Sequence, residues 1–589
     1  MRYFLYIVVF FCPFISFAQH VPFTGNVTPE WHEAIVEFQN MADTSAIAHM
    51  VPYGKTDVGK PLHLFIINKD RQFFPELFDR NKAVLLINNA IHPGEPDGVD
   101  ASILFSKELL SNAMGNQSIL DSVIICIIPL YNIDGSLIRN GVSRTNQNGP
   151  EQYGFRGNAR NLDLNRDFIK CDSRNARSFT QLFHAVDPDI FVDTHVSNGA
   201  DYPYTMTLIS TQADKIGPVL GEFIKNNIEP ALYSGMKARG FEMIPYVNHM
   251  GRTPDSGILD FLETPRFASG YAALFNTIGF ITETHMLKPY AQRVEATYFF
   301  MVELCEFMHR DKAMILKKRR DAFQYYANIS TYPARYSLDT TVVSQLKFKG
   351  YEAVYEPALV GHGTRLRYDQ NQPYEKDIPF FRSFKPEVMI DVPSYYFVPQ
   401  AWEQVIERLQ LNGVLMYSFS KDTTFKVAGF YLNDLKTLDK AYEGHYLHYQ
   451  VNARLDSMDI RFFEGDKIIP VNQPAIRYIL ETLDPRTEDS FFAWNFFDSV
   501  LQQKEWFSDY VFEEKAQEIL NADPALKKRF EEALAADPDM QEHWMQLSWI
   551  YRNSPYFEAS AFRYPVYHLP AGRKFVRSID HSTLRAGQE

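Results

Sequence analysis

Residues 83–95 of this 589-residue chain read AVLLINNAIHPGE, and this stretch decides the fold. Ala83–Asn88 is an almost wholly apolar run, which is typical of a strand that is buried on both faces of a sheet. His92 and Glu95 follow that run within one short loop. Ligands collect at the carboxyl ends of strands in open α/β sheets, so this placement predicts a chemically active site at a sheet edge.

The same alternation of apolar runs and amphipathic segments extends from about Gln39 to Arg310. Further strands are expected at Leu62–Asn68, Val123–Leu130, Ile190–Asp193, Thr205–Ile209 and Gly279–Thr282. Helices are expected at Val99–Ser111, Ser178–Val186 and Ala213–Lys225. Short apolar strands separated by helices indicate an α/β domain with a largely parallel sheet that is covered on both faces.

The pattern changes after the charged stretch Asp311–Arg320, and Pro333 marks a break. Alternating runs such as Tyr446–Val451 then favour strands, whereas helical spacing dominates after Gln473. We therefore expect a first domain at residues 24–320, an α+β or β-rich accessory domain at 335–480, and a mostly helical C-terminal region at 481–589.

The N-terminus resembles a targeting segment rather than part of the fold. Residues 1–19 read MRYFLYIVVFFCPFISFAQ, with a basic start, an apolar run and a small-x-small cleavage site. This pattern predicts a signal peptide at residues 1–18 and a protein exported to the periplasm or the extracellular space. An uncleaved membrane anchor is the alternative. No later stretch is apolar for long enough to predict a transmembrane segment, so the mature protein is expected to be soluble.

Charge and composition exclude several classes of protein. Lys and Arg number 59 and Asp and Glu number 72, which gives a formal net charge of −13. Nucleic acid is therefore not expected as a partner, because phosphate binding requires a basic surface. The 46% of hydrophobic residues is ordinary for a globular protein and argues against a fibrous or disordered chain.

Two histidines and a glutamate have the pattern of a metal site. His92 and Glu95 offer an imidazole nitrogen and a carboxylate from one turn, and His195 closes another apolar run. Two His and one Glu leave the fourth tetrahedral position of zinc open, which is the catalytic arrangement. Taken singly, the HxxE pair could be a polar loop and His195 a structural histidine.

Two other segments carry candidate catalytic and binding groups. Glu283 follows Gly279–Thr282, where a carboxylate could take a proton from metal-bound water and pass it to a leaving amine. The polar segment at residues 143–168 contains Arg and Asn side chains, which form a planar donor set suited to a carboxylate ligand, and a second Arg there could stabilise an oxyanion. A solvated Glu and a salt-bridged loop are the structural alternatives. The occurrence of four such segments at one edge of the predicted sheet nevertheless argues against coincidence.

In this order the motifs HxxE, NxDG, RxN, DxNR, His and strand-end Glu resemble those of the zinc carboxypeptidases of the carboxypeptidase A type. The stretch at residues 54–62, GKTDVGKPL, is similar to an opening segment of that family. The resemblance covers about residues 45–310. It implies an α/β/α sandwich with a mixed, largely parallel sheet, and one Zn²⁺ per chain.

The resemblance also implies a role for each matching residue. The implied metal ligands are His92, Glu95 and His195; Glu283 would be the general base and later the acid; Asn165 and Arg166 would hold the substrate carboxylate; and Asp163 would orient His92.

The chain departs from the family pattern next to two of these motifs. Gln147 stands where the family has a second Arg that steadies the oxyanion, so Arg144 is a possible substitute. Gly94 stands where pancreatic-type members have an Arg that helps to attract the substrate carboxylate.

The substrate-facing positions are less well defined by the sequence. Tyr246 and Tyr271 are both possible counterparts of the family's substrate-capping Tyr. Arg266 could favour an acidic C-terminal side chain, although a structural ion pair is the alternative.

The sequence therefore predicts an exported zinc carboxypeptidase that acts on peptides with a free C-terminal carboxylate. One alternative is a zinc amidase or carboxypeptidase that acts on cell-wall peptides. Another is a non-catalytic binding protein that retains a relic site.

Overall fold

The computed structural model describes residues 23–113 and 115–572, and the backbone of residues 584–586. The expected signal peptide at residues 1–18 lies outside the described residues. The chain divides into two compact units. The first comprises Met1–Asn328 and Tyr336–Glu387, and the second comprises Ile329–Arg335 and Val388–Glu589.

The first unit is built on a mixed eight-stranded sheet. Its strands are β1 (Ala48–Lys55), β2 (Pro61–Ile67), β3 (Ala83–Asn88), β4 (Val123–Ile128), β5 (Ile190–Ser197), β6 (Met206–Ser210), β7 (Ile244–Pro245) and β9 (Ile278–His285). The short strand β8 (Ile258–Leu259) is not part of this sheet. The order in the sheet is β1-β2-β4-β3-β5-β9-β6-β7. Strands β4, β3, β5 and β9 are mutually parallel, and β6 and β7 are parallel to each other. The pairs β1–β2, β2–β4 and β6–β9 are antiparallel. This confirms the expected mixed, largely parallel sheet.

Helices connect these strands. They are α1 (Trp31–Thr44), α2 (Asp97–Ser111), α3 (Ile133–Ser136), α4 (Arg174–Val186), α5 (Ala213–Ile216), α6 (Pro218–Phe223), α7 (Glu229–Ala238), α8 (Ala268–Ala273) and α9 (Tyr290–Tyr326). The single helix expected at Ala213–Lys225 is divided, because Gly217 adopts a φ of 96° and Pro218 starts the next helix.

Alternate residues of β5 show that helices cover both faces of the sheet. Val192 belongs to the core cluster that also contains Phe105 of α2 and Phe300 of α9. The neighbouring Phe191 instead packs against Phe179 of α4, with ring centroids 5.8 Å apart. Successive strand residues point to opposite faces, so the sheet lies between two helical layers, as in an α/β/α sandwich.

A long hairpin extends the first unit. The strands that follow α9 are β10 (Thr331–Leu338), β11 (Ser344–Pro357), β12 (Thr364–Phe381) and β13 (Phe384–Asp391). Strands β11 and β12 form an antiparallel hairpin, and the end of β12 pairs in parallel with β8. The first unit therefore extends beyond the domain boundary expected at residue 335, because pairing with β8 places residues 336–387 with this unit.

The second unit combines a sheet with helices. Its elements are β14 (Tyr395–Val398), α10 (Glu403–Leu411), β15 (Tyr417–Phe419), β16 (Thr423–Thr437), β17 (His448–Phe462), β18 (Lys467–Pro470), α11 (Ile476–Leu483), α12 (Asp509–Ala522), α13 (Pro524–Ala536), α14 (His543–Arg552), β19 (Tyr567–Leu569) and β20 (Leu584–Ala586). The sheet order is β17-β16-β19-β14-β18-β15-β20. The C-terminal part is helical as expected, and the Asp523 side chain caps α13. Strands β19 and β20 nevertheless join the sheet, so the expected boundary at residue 481 does not separate two compact units.

None of the helices in the described part of the chain contains an apolar stretch long enough to cross a membrane.

Candidate active site

His92, Glu95 and His195 meet at the carboxyl edge of the sheet. His92 and Glu95 lie in the turn between β3 and α2, where the Glu95 amide donates to the His92 carbonyl at 2.8 Å. His195 lies near the end of β5, the strand next to β3. All three side chains are buried, and one ligand atom from each lies within 4.8 Å of the others.

Aspartates orient both imidazole rings. His92 Nε2 lies 2.9 Å from Asp163 Oδ1, and His195 Nε2 lies 2.9 Å from Asp193 Oδ2. The two Nδ1 atoms are thereby turned towards Glu95, at 3.3 Å and 3.1 Å from its carboxylate oxygens. His92 Nδ1 is buried and makes no hydrogen bond to the described residues. An orphaned nitrogen beside a carboxylate fits a metal ligand whose other ring nitrogen is fixed by an acid.

The electrostatics of these groups also fit a cation. Burial alone would raise the pKa of Glu95, but Arg144 and the two histidines outweigh it and hold the pKa well below its usual range. Burial alone would lower the pKa of His195, yet the Asp193 and Glu95 carboxylates raise it well above the usual value. The site therefore attracts positive charge, and the His₂Glu donor set is one that zinc accepts.

Arg144 contacts a candidate metal ligand. Its Nη1 donates to Glu95 Oε1 at 2.7 Å, its Nη2 donates to the Val196 carbonyl, and its Nε donates to Gln147. A Cβ atom at Gly94 would lie 2.6 Å from Arg144 Cδ, so Arg144 fills the space that a side chain at position 94 would need. The geometry favours a role in holding Glu95 over the expected role at an oxyanion.

Arg156 is a site residue that the sequence analysis missed. Its Nε donates to Asp163 Oδ2 at 3.0 Å, and its Nη2 lies 2.9 Å from the same oxygen. Its Nη1 lies 3.5 Å from Glu95 Oε1. The side chain is 44% exposed and lines the same cavity as the metal group. Its sequence context, Gly-Phe-Arg-Gly, carries no motif, so no local signal identifies it.

Glu283 lies beside His195 in the sheet. Strands β5 and β9 are parallel neighbours, and His195 pairs directly with Glu283. Because paired residues of adjacent strands project to the same face, the carboxylate lies next to the metal group. Burial raises the pKa of Glu283 to about 8, and the nearby Glu95 and Glu263 carboxylates add to the rise while His195 opposes it.

Asn165 and Arg166 occupy a 3₁₀ helix at Leu164–Arg166, whose first turn is capped by the Asp163 carboxylate. The Ala268 amide donates to Asn165 Oδ1 at 3.2 Å. No hydrogen bond from Asn165 Nδ2 is seen among the described residues. The Arg166 guanidinium lies 4.3 Å from the ring centroid of Phe267. These contacts fix two planar donor groups at the wall of the cavity.

The predicted groups share one cavity of about 320 Å³. Those that line it are His92, Glu95, Arg144, Asn165, Arg166, His195 and Glu283. Asp163 lies behind His92. Of the two candidate tyrosines, Tyr246 lines the cavity, whereas Tyr271 is fully buried and its hydroxyl lies 3.2 Å from His184 Nε2. Arg266 is not among the lining residues, but Glu263 is.

Comparison with known proteins agrees with this geometry. The family model described as "Zinc carboxypeptidase" matches residues 35–202, which include all three candidate metal ligands. This chain is similar to the zinc carboxypeptidase family over that segment. Its curated relatives include Carboxypeptidase 2 from Trichophyton rubrum, with 20% identity over 420 residues that cover 69% of this chain and 72% of the relative. Carboxypeptidase 2 from Trichophyton equinum is 21% identical and covers 70% and 73% of the two chains.

Solved carboxypeptidase structures are also similar, over about half of the chain. A metallo-carboxypeptidase from Burkholderia cenocepacia has a TM-score of 0.36 and 19% identity, and covers 48% of this chain and 70% of its own. Carboxypeptidase A from Helicoverpa armigera has a TM-score of 0.36 and 13% identity, and covers 50% and 74%. The family match and the names of the curated relatives support a metallocarboxypeptidase, and the metal named by the family model is zinc.

Proposed function

We propose that this protein is an exported metallocarboxypeptidase that hydrolyses the C-terminal peptide bond of peptides. The observation that carries the proposal is the convergence, in one cavity, of a metal-binding group, a buried carboxylate and a pair of planar donors. Export rests on the signal-like sequence of residues 1–18.

His92, Glu95 and His195 would hold the zinc ion. The orphaned His92 Nδ1 and the Nδ1 of His195 face the Glu95 carboxylate, while Asp163 and Asp193 fix the opposite ring nitrogens. Zinc bound by two His and one Glu supplies Lewis acidity, which acidifies a water molecule and polarises a carbonyl.

Glu283 would move the protons of the reaction. Its carboxylate accepts a proton from the attacking water and later donates it to the nitrogen of the departing amine. The raised pKa of Glu283 fits the second step, because the carboxyl group retains an accepted proton more readily than an exposed glutamate does. The pairing with His195 holds it at the required edge of the sheet.

Asn165 and Arg166 would bind the terminal carboxylate of the substrate. Asn165 Nδ2 and the guanidinium of Arg166 can donate in one plane, which suits a carboxylate. Arg156 would stabilise the developing oxyanion, since it lines the cavity and its Nη1 already reaches to 3.5 Å from Glu95. Arg156 would thereby have the role at the oxyanion that was expected for Arg144 from the sequence.

Mass spectrometry of a peptide library treated with the zinc-loaded protein tests this function. Stepwise loss of single C-terminal residues is expected. Cleavage at internal bonds would contradict the proposal, and release from purified wall fragments alone would indicate the cell-wall alternative. Binding of peptides without any turnover would indicate the relic binding protein.

A further inference from the structure

Asp57 lies in the turn between β1 and β2, within the segment of residues 54–62 that resembles the opening segment of the zinc carboxypeptidases. Its carboxylate joins two distant parts of the first unit. Oδ2 accepts a hydrogen bond from Asn158 Nδ2 at 2.9 Å, and Oδ1 accepts one from the Arg174 amide at 3.2 Å. The amide of Asp57 donates to Asn175 Oδ1 at 3.2 Å. The turn is therefore fixed both to the start of α4 and to the loop that contains Asn158.

Asn158 uses all of its polar groups to shape that loop. Its side-chain oxygen accepts hydrogen bonds from the amides of Arg160 and Leu162 at 2.9 Å and 3.0 Å. Its own amide donates to the Leu162 carbonyl at 3.0 Å, and its carbonyl accepts from the Asn161 amide at 2.9 Å. Asn158 is only 3% exposed. Because a buried donor needs a partner, the contact with Asp57 stabilises the whole turn at residues 158–162.

The two ends of this turn carry groups that the proposed mechanism uses. Arg156 lies two residues before Asn158, and Asp163 directly follows the turn and precedes the 3₁₀ helix that holds Asn165 and Arg166. Donor groups that bind a substrate must be held to within a fraction of an ångström, and a displacement of about 1 Å can cost about 10²-fold in rate. A contact that fixes the turn therefore also fixes the donors on either side of it.

We infer that Asp57 is a positioning residue for substrate binding: through Asn158 it holds the loop that presents Asn165 and Arg166 to the terminal carboxylate of a peptide. Asp57 is not among the residues that line the cavity, so it acts on the substrate only through this loop. The inference rests on the proposed carboxypeptidase function and assigns a further residue to it.

Exchange of the two side chains tests this inference. Asp57→Asn replaces one acceptor oxygen by a donor, and Asn158→Asp replaces the donor by an acceptor, so each single change breaks the bond between them. The double variant Asp57→Asn/Asn158→Asp restores the bond with its polarity reversed. An oxygen then remains at each position for the backbone amides that bind there in the wild type. The double variant thus separates loss of the contact from loss of either side chain.

The quantity to measure is the kcat/KM for a peptide with a free C-terminal carboxylate, divided by the kcat/KM for the same peptide after amidation. Both peptides are assayed with one preparation, so a general loss of folded or zinc-loaded protein cancels from this ratio. Each single variant is expected to lower the ratio by about 3–10-fold, the effect of one lost hydrogen bond. The double variant should regain the wild-type ratio to within about twofold.

Tolerance of these changes follows from the setting of Asp57. Burial raises the pKa of Asp57, and the Asp134 and Asp167 carboxylates add to the rise, against the Arg174 amide and the Arg160 guanidinium. A neutral side chain at this position therefore relieves repulsion between carboxylates. Asp57→Glu, which keeps both acceptor oxygens but displaces them by one methylene group, gives the same comparison if a single variant does not fold.

Asp189→Asn is a matched control. Asp189 is a buried acid that directly precedes β5 and accepts a hydrogen bond from the Val84 amide at 2.8 Å, at the end of the sheet opposite to the metal group. It should keep the wild-type ratio whatever its effect on stability. An unchanged ratio in the single variants, an equal fall in Asp189→Asn, or a double variant no better than the single ones would contradict the role of Asp57.

Calorimetry with the same acid and amide peptides separates this inference from the proposed function. Suppose that the wild type and the double variant bind the acid more tightly than the amide, that the single variants do not, and that no protein releases any residue. The positioning role would then stand and the function would be overturned. Release of C-terminal residues by the wild type, with the same preference for the acid in every variant, would support the function and overturn the positioning role.

Discussion

Asp163 Oδ1 lies 2.9 Å from Nε2 of His92, although the two residues are separated by 71 positions in the chain. This contact decides which nitrogen of His92 faces Glu95 and His195. The other oxygen of the same aspartate accepts a hydrogen bond from Arg156 Nε and lies 2.9 Å from Arg156 Nη2. Asp163 therefore links the candidate metal site to the candidate oxyanion donor.

Removal of the Asp163 carboxylate should weaken metal binding without abolishing it. We expect Asp163→Ala to lower the affinity for zinc by about 10–100-fold, because the His92 ring loses the acid that orients it. Competition with a chelator of known affinity measures this change. Asp121→Ala removes an exposed carboxylate that pairs with Lys69 and should leave the affinity unchanged. Equal affinities in all three proteins would contradict the role of Asp163.

Loss of a metal ligand should have a larger effect than loss of its orienting acid. We expect folded His195→Ala to lose most of its bound zinc during dialysis, since two protein ligands would remain. Elemental analysis of the dialysed protein gives the zinc content per chain. His32→Ala changes an exposed histidine and serves as the control. Full zinc retention in His195→Ala would show that the ligands have been assigned wrongly.

Glu283→Gln tests the proton-transfer step. Glutamine keeps the shape of the side chain but is not basic, so we expect the variant to keep its zinc and its affinity for peptides. The kcat should fall by about 10²–10⁴-fold, as for removal of a general acid–base. Zinc content, peptide affinity and turnover should be measured on one preparation. Loss of zinc together with activity would instead make Glu283 a metal ligand.

The proposed contact between Arg166 and the terminal carboxylate of the substrate is tested by combining a change in the enzyme with a change in the substrate. Amidation of the peptide C-terminus should lower kcat/KM strongly for the wild-type enzyme, because Arg166 loses its charged partner. For Arg166→Ala the same amidation should cost much less. Equal effects of amidation in both enzymes would rule out contact between Arg166 and the terminal carboxylate.

Asp100 gives the first unit a pH-dependent stability. Burial raises its pKa to about 7, although the Thr28 and Tyr290 hydroxyls donate to its Oδ2 and oppose the rise. The pKa of Asp in an unfolded chain is about 3.9. Between these values the folded protein holds a proton that the unfolded chain releases, so the free energy of unfolding falls as pH rises from about 4 to about 7.

Asp100→Asn removes this titration and retains an oxygen acceptor for both hydroxyls. The stability of the variant relative to wild type should rise with pH across that window, by at most about 1.4 kcal/mol per pH unit. Thermal unfolding midpoints at pH 5 and pH 8 measure the trend. Asp43→Asn, at an exposed position of α1, is the control. A constant difference between variant and wild type at the two pH values would contradict the assignment.

The central strands could be predicted because each carries its own signal. The run at residues 83–88 is apolar except for Asn88, the run at residues 123–128 is apolar throughout, and both are strands buried between helical layers. Strand β1 was not among the expected strands, since Pro52 and Gly54 interrupt it. It lies at the edge of the sheet, where a missing amide donor is tolerated.

The candidate metal ligands and Glu283 could be predicted because each lies at or just after the end of a strand. His195 and Glu283 end recognisable runs, and the HxxE pair follows another. Arg156 and Glu263 lie in irregular loops and reach the cavity through contacts with Asp163 and Ser269, which no local pattern encodes. Residues 336–387 were expected in the accessory domain because the strand with which their hairpin pairs, β8, is only two residues long and carries no sequence signal.

The direct pairing of His195 with Glu283 constrains how this enzyme can evolve. Insertion or deletion of one residue within either strand would turn one of the two side chains to the opposite face of the sheet, and no rotamer change could bring it back. The loop that carries Glu263 has no such limit and can change length. Diversification of this protein should therefore alter what it recognises long before it alters the pairing on which its chemistry depends.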